Sequence, residues 1–273
     1  MRELSDEEGV WEHNAWDNHQ WTPELEAQAE SIIQKQQHAE KMPDLQWEEE
    51  GSKWDDFYGM HNRWFFKDRK WLATEFPELL QAESILEVGC GAGNTVLPLL
   101  RINNKAHIYA CDFSKEAVEL VRSHAQFDPS RCTLFHHDLA SKEDVLDAGT
   151  KVDAVIAIFV LSAVHPDRLV HVIEKLRSVL KPGGSLFFRD YGRLDLTQLR
   201  FPSSRFLCSP DYYRRGDGTI VHYFTEAELQ DRLFAHGWSI ERMQTDRRLI
   251  VNRKRQLLMR RVWIQAKIDV LKE

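Results

Sequence analysis

The chain has 273 residues, 42% of them hydrophobic, with 36 Lys/Arg against 43 Asp/Glu for a formal charge of −7; this supports one core of about 200 residues plus an extension. No run approaches the roughly 18 apolar residues of a membrane span, and the acidic stretch Met1 to Glu8 is unlike a secretory or mitochondrial leader, so a cytoplasmic or nuclear protein without membrane association is expected. Cys90, Cys111, Cys132 and Cys208 form no C-x-x-C pair and read as reduced structural thiols, with no metal site.

Residues 1–21 are acidic and carry Trp11, Trp16 and Trp21 without helical spacing, an arm expected to order only against something else. Thr22, Pro23 and Glu24 start a helix expected to reach about Lys41 with Leu25, Ala29 and Ile32 on one face. Past Pro43 and Glu48 to Glu50, a second helix is expected from Ser52, bearing Trp54, Phe57, Tyr58 and His61 at helical spacing. Trp64 to Leu72 interleaves aromatic and charged residues. Seven of the nine tryptophans precede residue 72, and this concentration just before a glycine-rich loop suggests a lid over residues 51–80.

Ser84 to Val88 reads as a buried strand running into Gly89, Gly91 and Gly93, with Asn94 opening a helix. A strand, a glycine turn and a helix N-terminus form a nucleotide-type site, though such a turn also occurs without a ligand. Glu87 would repel a pyrophosphate but suit the cationic amino-acid end of S-adenosylmethionine. The spacing is Gly-x-Gly-x-Gly and departs from the dinucleotide fingerprint. A second strand, 106–112, ends at Asp112, where a ribose diol would lie in either cofactor class; Asp138, after a third strand at 132–137, could accept an adenine amino group.

Helices are expected at 94–101, 115–125 and from Ser141, a strand at 152–159, a helix at 166–180 stopped by Lys181 to Gly184, and a fifth strand at 185–188. The alternation predicts an α/β fold with a mostly parallel sheet covered on both faces. Residues 191–224 read as an insertion at the carboxyl ends of the strands, hence a substrate element, with Asp217-Gly218 as a hairpin turn. After a capped helix from Thr225, two antiparallel strands are expected at 238–245 and 257–267. Charge is uneven along the chain: residues 1–180 hold 18 Lys/Arg against 32 Asp/Glu (−14), and residues 181–273 hold 18 against 11 (+7), which puts any basic partner surface in the C-terminal part.

Several blocks together resemble class I S-adenosylmethionine-dependent methyltransferases, and more narrowly the enzymes that make 3-methylcytidine in tRNA. They are Phe65 to Trp71, Leu86 to Asn94, Cys111 to Ser114, Ile158 to Asp167, Leu180 to Gly183, Arg189 to Gly192 and Arg215 to Thr219. The tail, Asp246 to Arg253 with Arg261 to Gln265, looks like the branch acting on threonine and some arginine tRNAs. The resemblance implies a Rossmann-like fold with a seven-stranded sheet and an N-terminal helical lid, divided into an arm (1–50), a lid (51–80) and a methyltransferase domain (81–273). It implies S-adenosylmethionine as cofactor and the anticodon loop of tRNA, at position 32, as substrate. An accessory protein or tRNA synthetase is a further candidate partner.

The resemblance and the residue chemistry together nominate Trp54, Tyr58, Gly89, Gly91, Asn94, Asp112, Phe113, Asp138, Leu139 and Ile158 for the cofactor. Asp112 would take the ribose hydroxyls, Asp138 and the Leu139 backbone the adenine, and Gly89 the methionine portion. Asp190 is the candidate catalytic carboxylate for the exocyclic amine of the base, with Phe159 stacking on the ring. Lys67, Arg69, Arg189, Arg200, Arg214, Arg215, Arg247, Arg248 and Arg253 are candidates for RNA phosphates. The rival readings are a methyltransferase of a small molecule or protein side chain, and an inactive methyltransferase fold serving as a binding subunit.

Overall fold

From Ser84 onward strands and helices alternate as the apolar pattern requires. The computed structural model describes residues 2–4, 8–38, 47–60, 67–69, 71–208 and 210–271, with backbone only at 47–52. In chain order its elements are β1 (Ala15–Trp16), α1 (Pro23–Gln37), α2 (Trp47–Met60), α3 (Leu72–Glu75), β2 (Ser84–Val88), α4 (Val96–Ile102), β3 (His107–Asp112), α5 (Lys115–Arg122) and β4 (Cys132–His136). There follow β5 (Val152–Ile158), α6 (Pro166–Ser178), β6 (Leu180–Tyr191), β7 (Phe206–Cys208), β8 (Tyr212–Arg214), β9 (Ile220–His222), β10 (Trp238–Asn252) and β11 (Leu257–Val270). No helix among the described residues is long and apolar enough to cross a membrane.

The main sheet has eight strands in the order β1-β10-β11-β6-β5-β2-β3-β4, and β7-β8-β9 form a small antiparallel sheet. Pairs from β6 through β5, β2 and β3 to β4 are parallel; β6–β11, β11–β10 and β10–β1 are antiparallel. Successive residues of a strand face opposite sides, so Leu86 and Val88 of β2 pack with Leu169, Val172, Ile173 and Leu176 of α6, while Ile85 packs with Val96, Leu97, Leu99 and Leu100 of α4. Each fully buried Leu, Val or Ile contributes about 1.5–3 kcal/mol, which makes these two cores the main support of the sheet.

The caps follow the sequence: Thr22 Oγ1 accepts from the Leu25 N–H at 3.3 Å, Ser114 Oγ from Ala117 at 3.1 Å and Thr225 Oγ1 from Glu228 at 3.1 Å. α4 instead begins at Val96, two residues later than expected, and the Thr95 hydroxyl accepts from Arg69 Nη1 at 2.6 Å. The helix expected from Ser141 is absent, and 141–149 form turns. There the Ser141 carbonyl, which would open the helical ladder, is taken by Lys175 Nζ of α6 at 2.6 Å. Lys181 to Gly184 do not separate α6 from the next strand; they lie inside β6, with Gly183 at φ +77 and a register shift between Val152 and Ala154 opposite. β10 and β11 run to Asn252 and Val270, well beyond their expected ends.

The expected seven strands become eight because the arm pairs with the chain's own sheet edge. Ala15 and Trp16 lie opposite Ile250 and Leu249, Trp16 Nε1 donates to the Val10 carbonyl at 2.9 Å, and Val10, Trp16, Leu249 and Val251 form a satellite core. The buried face of α1 is rotated from expectation to Ala29, Ile33 and Gln36, leaving Ile32 exposed. Gln36 Nε2 donates to the carbonyls of Gln198 (3.1 Å) and Phe201 (2.7 Å), so α1 straps the 191–224 insertion. The expected continuation of α1 to Lys41 lies outside the described residues, as do His61 and Trp64 to Phe66 of the lid.

Candidate active site

β2 leads through α4 to β3 on one side, and β5 pairs on its other side, so the carboxyl ends of β2, β3 and β5 open a crevice at the switch in strand order. The glycine loop lies there. Gly89 has φ +64 and Gly91 φ +53; a Cβ would stand 2.4 Å from Val160 Cγ2 at the first and 2.6 Å from Tyr58 Oη at the second. Gly91 N–H and Ser114 N–H donate to the two carboxyl oxygens of Asp112 at 2.8 and 2.9 Å. Burial nevertheless lifts the Asp112 pKa, opposed by those two N–H groups.

The lid helix is pinned across this loop. Asp55 Oδ1 accepts from Ser114 Oγ at 2.6 Å and from Glu116 N–H at 3.4 Å, placing a carboxylate at the N-terminus of α5. Trp54 and Tyr58, on the same helix, then cover a cavity of about 80 Å³ whose walls include Gly89, Asp112, Phe113, His137, Asp138, Leu139, Phe159 and Val160. Ile158 is not in the wall: its side chain is 1% exposed in the sheet core, and the next residue, Phe159, lines the cavity in its place.

S-adenosylmethionine fits these residues. Gly89, Asp112, Asp138 and Leu139 line one cavity under the rings of Trp54 and Tyr58, and His137 in the same wall, 8% exposed, has an Nε2 with no hydrogen-bond partner. Burial holds the His137 ring below its ordinary pKa and hence neutral. Glu87 differs from expectation: it is 1% exposed, outside the cavity walls, and its cationic neighbour is the chain's own Arg69 at 3.8 Å. Burial raises its carboxyl to about 8 against the pull of Arg69.

A second chamber, of about 450 Å³, shares Trp54, Tyr58, Gly89, Phe159 and Ala163 with the first. Asn94, Gly91, Lys67, Arg69, Trp71, Ser162, Tyr191, Arg215, Asp217, Arg261 and Trp263 also line it. Phe159 stands in both walls with a left-handed backbone, φ +57, and its ring lies 5.0 Å from Tyr191 and 6.3 Å from Trp263. Asp190 does not reach this chamber. It is fully buried, and its two oxygens accept from the N–H groups of Ser162 and Tyr191, each at 2.9 Å. Asp190 thus positions two wall residues, Ser162 and Tyr191, from beneath the chamber wall.

Comparison with known proteins fits this geometry. A general methyltransferase-domain model matches residues 85–184. The chain is 42% identical to the tRNA N(3)-cytidine methyltransferase METTL2 of Danio rerio over 97% of this chain and 87% of that protein. The chain belongs to the tRNA N(3)-cytidine methyltransferase family. It is also 44% identical to the tRNA(Thr) (cytosine(32)-N(3))-methyltransferase of Saccharomyces cerevisiae, over 98% of this chain and 45% of that one. Among solved structures, a Burkholderia thailandensis 1,6-didemethyltoxoflavin-N1-methyltransferase with bound S-adenosylhomocysteine superposes with a TM-score of 0.59 at 17% identity, over 85% of this chain and 94% of that one, a likeness of fold.

For a tRNA N(3)-cytidine methyltransferase family member, the expected phosphate contacts divide sharply. Arg189 is 4% exposed, lies 5.0 Å from the ring of Trp71 and 4.9 Å from that of Trp263, and donates to Gln265 and Asp246, so it cannot reach a phosphate. Arg247 pairs with Glu26 of the arm at 2.7 Å, and Arg248 with Asp246 of its own strand at 3.0 Å, Asp17 of the arm at 3.5 Å and Glu75 at 3.6 Å, so each already has a carboxylate partner. Arg69 is a chamber-wall guanidinium, not a surface charge. Lys67 and Arg215 line the chamber, Arg214 is half-buried on β8, and Arg200 and Arg253 are exposed away from it, the latter donating to Asn14 at 3.0 Å.

Sequence reasoning missed Asp55, His137, Asp217 and Arg261 as site residues. It also left Trp71, Tyr191 and Trp263 unassigned within blocks that carried the family resemblance. The pairing of Trp263 with Tyr191 across β11 and β6 brings the last two together over 72 residues of chain, a register that no local pattern encodes.

Proposed function

We propose that the protein transfers the methyl group of S-adenosylmethionine to N3 of cytidine 32 in the anticodon loop of tRNA, with threonine and arginine tRNAs as substrates. The observation that carries this is the pair of chambers meeting at Phe159 and Gly89: one walled for a nucleoside cofactor, the other aromatic and rimmed by cations. The cofactor supplies a methyl on a sulfonium. Cytosine N3 has an in-plane lone pair, so the protein needs no strong base, only placement in a dry site.

N3 is occupied in a Watson–Crick pair, so the base must enter unpaired or flipped, as an anticodon-loop nucleotide can. Phe159 and Tyr191 offer stacking faces, Trp54 and Tyr58 exclude water from above, and Lys67 and Arg215 stand where flanking phosphates would pass. Arg247 and Arg248, outside the chamber, are paired with Glu26 and Asp17 of the arm, so the basic surface beyond the chamber is reduced, which favours an accessory protein or synthetase that delivers the tRNA. We place the reaction in the cytoplasm, with the nucleus as the alternative, where its substrate is found.

The test is transfer of labelled methyl from S-adenosylmethionine to total tRNA from cells lacking the protein, followed by nucleoside analysis. Label in 3-methylcytidine is expected. Label in another nucleoside, or none even with cell extract added, overturns the assignment.

A further inference from the structure

The larger chamber contains four cationic side chains among the described residues, Lys67, Arg69, Arg215 and Arg261, and one carboxylate, Asp217. Asp217 is half-buried in the turn between β8 and β9. Its Oδ1 accepts from the Thr219 N–H at 2.9 Å and from Thr219 Oγ1 at 2.7 Å, which fixes the plane of the carboxyl group. The turn is held from outside as well: a Cβ on Gly218, at φ +89, would stand 3.0 Å from Lys53 Cδ of the lid helix. A rigid carboxylate therefore lines a chamber otherwise rimmed with positive charge, while Asp190, the other acid nearby, is buried, held by Ser162 and Tyr191, and absent from the chamber wall.

We propose that Asp217 reads the exocyclic amine of the target cytosine, a reading that rests on the function proposed above. Cytosine presents an N–H donor at C4 where uracil presents a carbonyl acceptor. A fixed carboxylate accepts from the first and repels the second. In the transfer the N3 lone pair forms the new N–C bond and the methyl–sulfur pair returns to sulfur, so the ring gains the positive charge the sulfonium loses and no proton need leave. Part of that charge resides on the 4-amino group. The Asp217 contact thus strengthens as charge develops, and it contributes to turnover as well as to base choice.

The test uses the full chain and anticodon stem-loop RNAs carrying cytidine, uridine or zebularine at the target position; zebularine keeps N3 but lacks the 4-amino group. Wild-type protein should favour cytidine over zebularine by roughly 10- to 100-fold in kcat/KM. Asp217→Asn, whose amide oxygen can still accept from Thr219, and Asp217→Ala should bring that ratio toward unity by losing rate on cytidine alone. Because the ratio is internal to each variant, it does not depend on the fraction folded. An unchanged ratio, or equal losses on both RNAs, would show that Asp217 only shapes the turn. Absence of transfer to cytidine by wild-type protein, even with cell extract added, would overturn the underlying reading instead.

Discussion

Replacing Arg189 with methionine separates structural from RNA-binding roles more cleanly than any other single change. The guanidinium lies between Trp71 and Trp263 at 5.0 and 4.9 Å and donates to Asp246 and Gln265 in a site where it is 4% exposed. Methionine fills much of the volume but removes the charge. Breaking a buried ion pair costs about 3–5 kcal/mol, and two desolvated cation–π contacts add about 0.5–2 kcal/mol each. Asp246 keeps Arg248 at 3.0 Å, which limits its exposure as an uncompensated charge and sets the expected loss near the lower bound of these terms together, about 4 kcal/mol. At about 2–4 °C per kcal/mol, the melting temperature should fall by about 8–16 °C. Denaturant unfolding measures the loss as a lower midpoint at unchanged slope. The salt dependence of tRNA binding should be unchanged, because Arg189 touches no phosphate. A stability change below about 1 kcal/mol together with a salt slope reduced by about one would refute the reasoning.

Gly91→Ala places a Cβ 2.6 Å from Tyr58 Oη at φ +53, so about 1–2 kcal/mol of backbone strain adds to a displaced lid; cofactor affinity by calorimetry should drop about tenfold or more, and an unchanged Kd would contradict the packing. Asp190→Asn turns an amide N–H toward the N–H of Ser162 or Tyr191, costing about 1–3 kcal/mol and lowering kcat while cofactor binding persists; normal turnover would remove Asp190 from any positioning role. Glu87 is raised from 4.5 to about 8, so its support for folding is fully present below pH 4.5 and is lost as the pH rises through 8. The unliganded Glu87→Gln protein should therefore gain on wild type across that window, and parallel stability–pH curves would count against the burial argument.

Local chemistry made the parallel sheet, the glycine loop, Asp112, Asp138 and the β8–β9 hairpin legible, because each depends on residues within one element or one turn. What lay beyond reach depends on pairing at a distance. Arg189 and Asp190 are adjacent in sequence and look equally available; only β11, laid against β6, encloses the first between tryptophans, and only the short helical turn after β5 turns the Ser162 N–H toward the second. Positive charge misled in the same way. Arg247 and Arg248 read as phosphate ligands until the arm, more than 220 residues upstream, supplies Glu26 and Asp17. The helix expected from Ser141 fails for a related reason, since Lys175 of α6 claims the carbonyl it needs.

The arm's short pairing with β10 also bears on how the molecule behaves in a crowded solution. The distal part of β10 would otherwise present unpaired backbone donors and acceptors beside Leu249 and Val251, a template on which a second chain could add a strand. Two residues of β1, anchored by Trp16, occupy that template in cis. Cleavage of the arm by a protease would therefore be felt first as self-association, before any loss of the methyltransferase core, and light scattering of a nicked sample would register it.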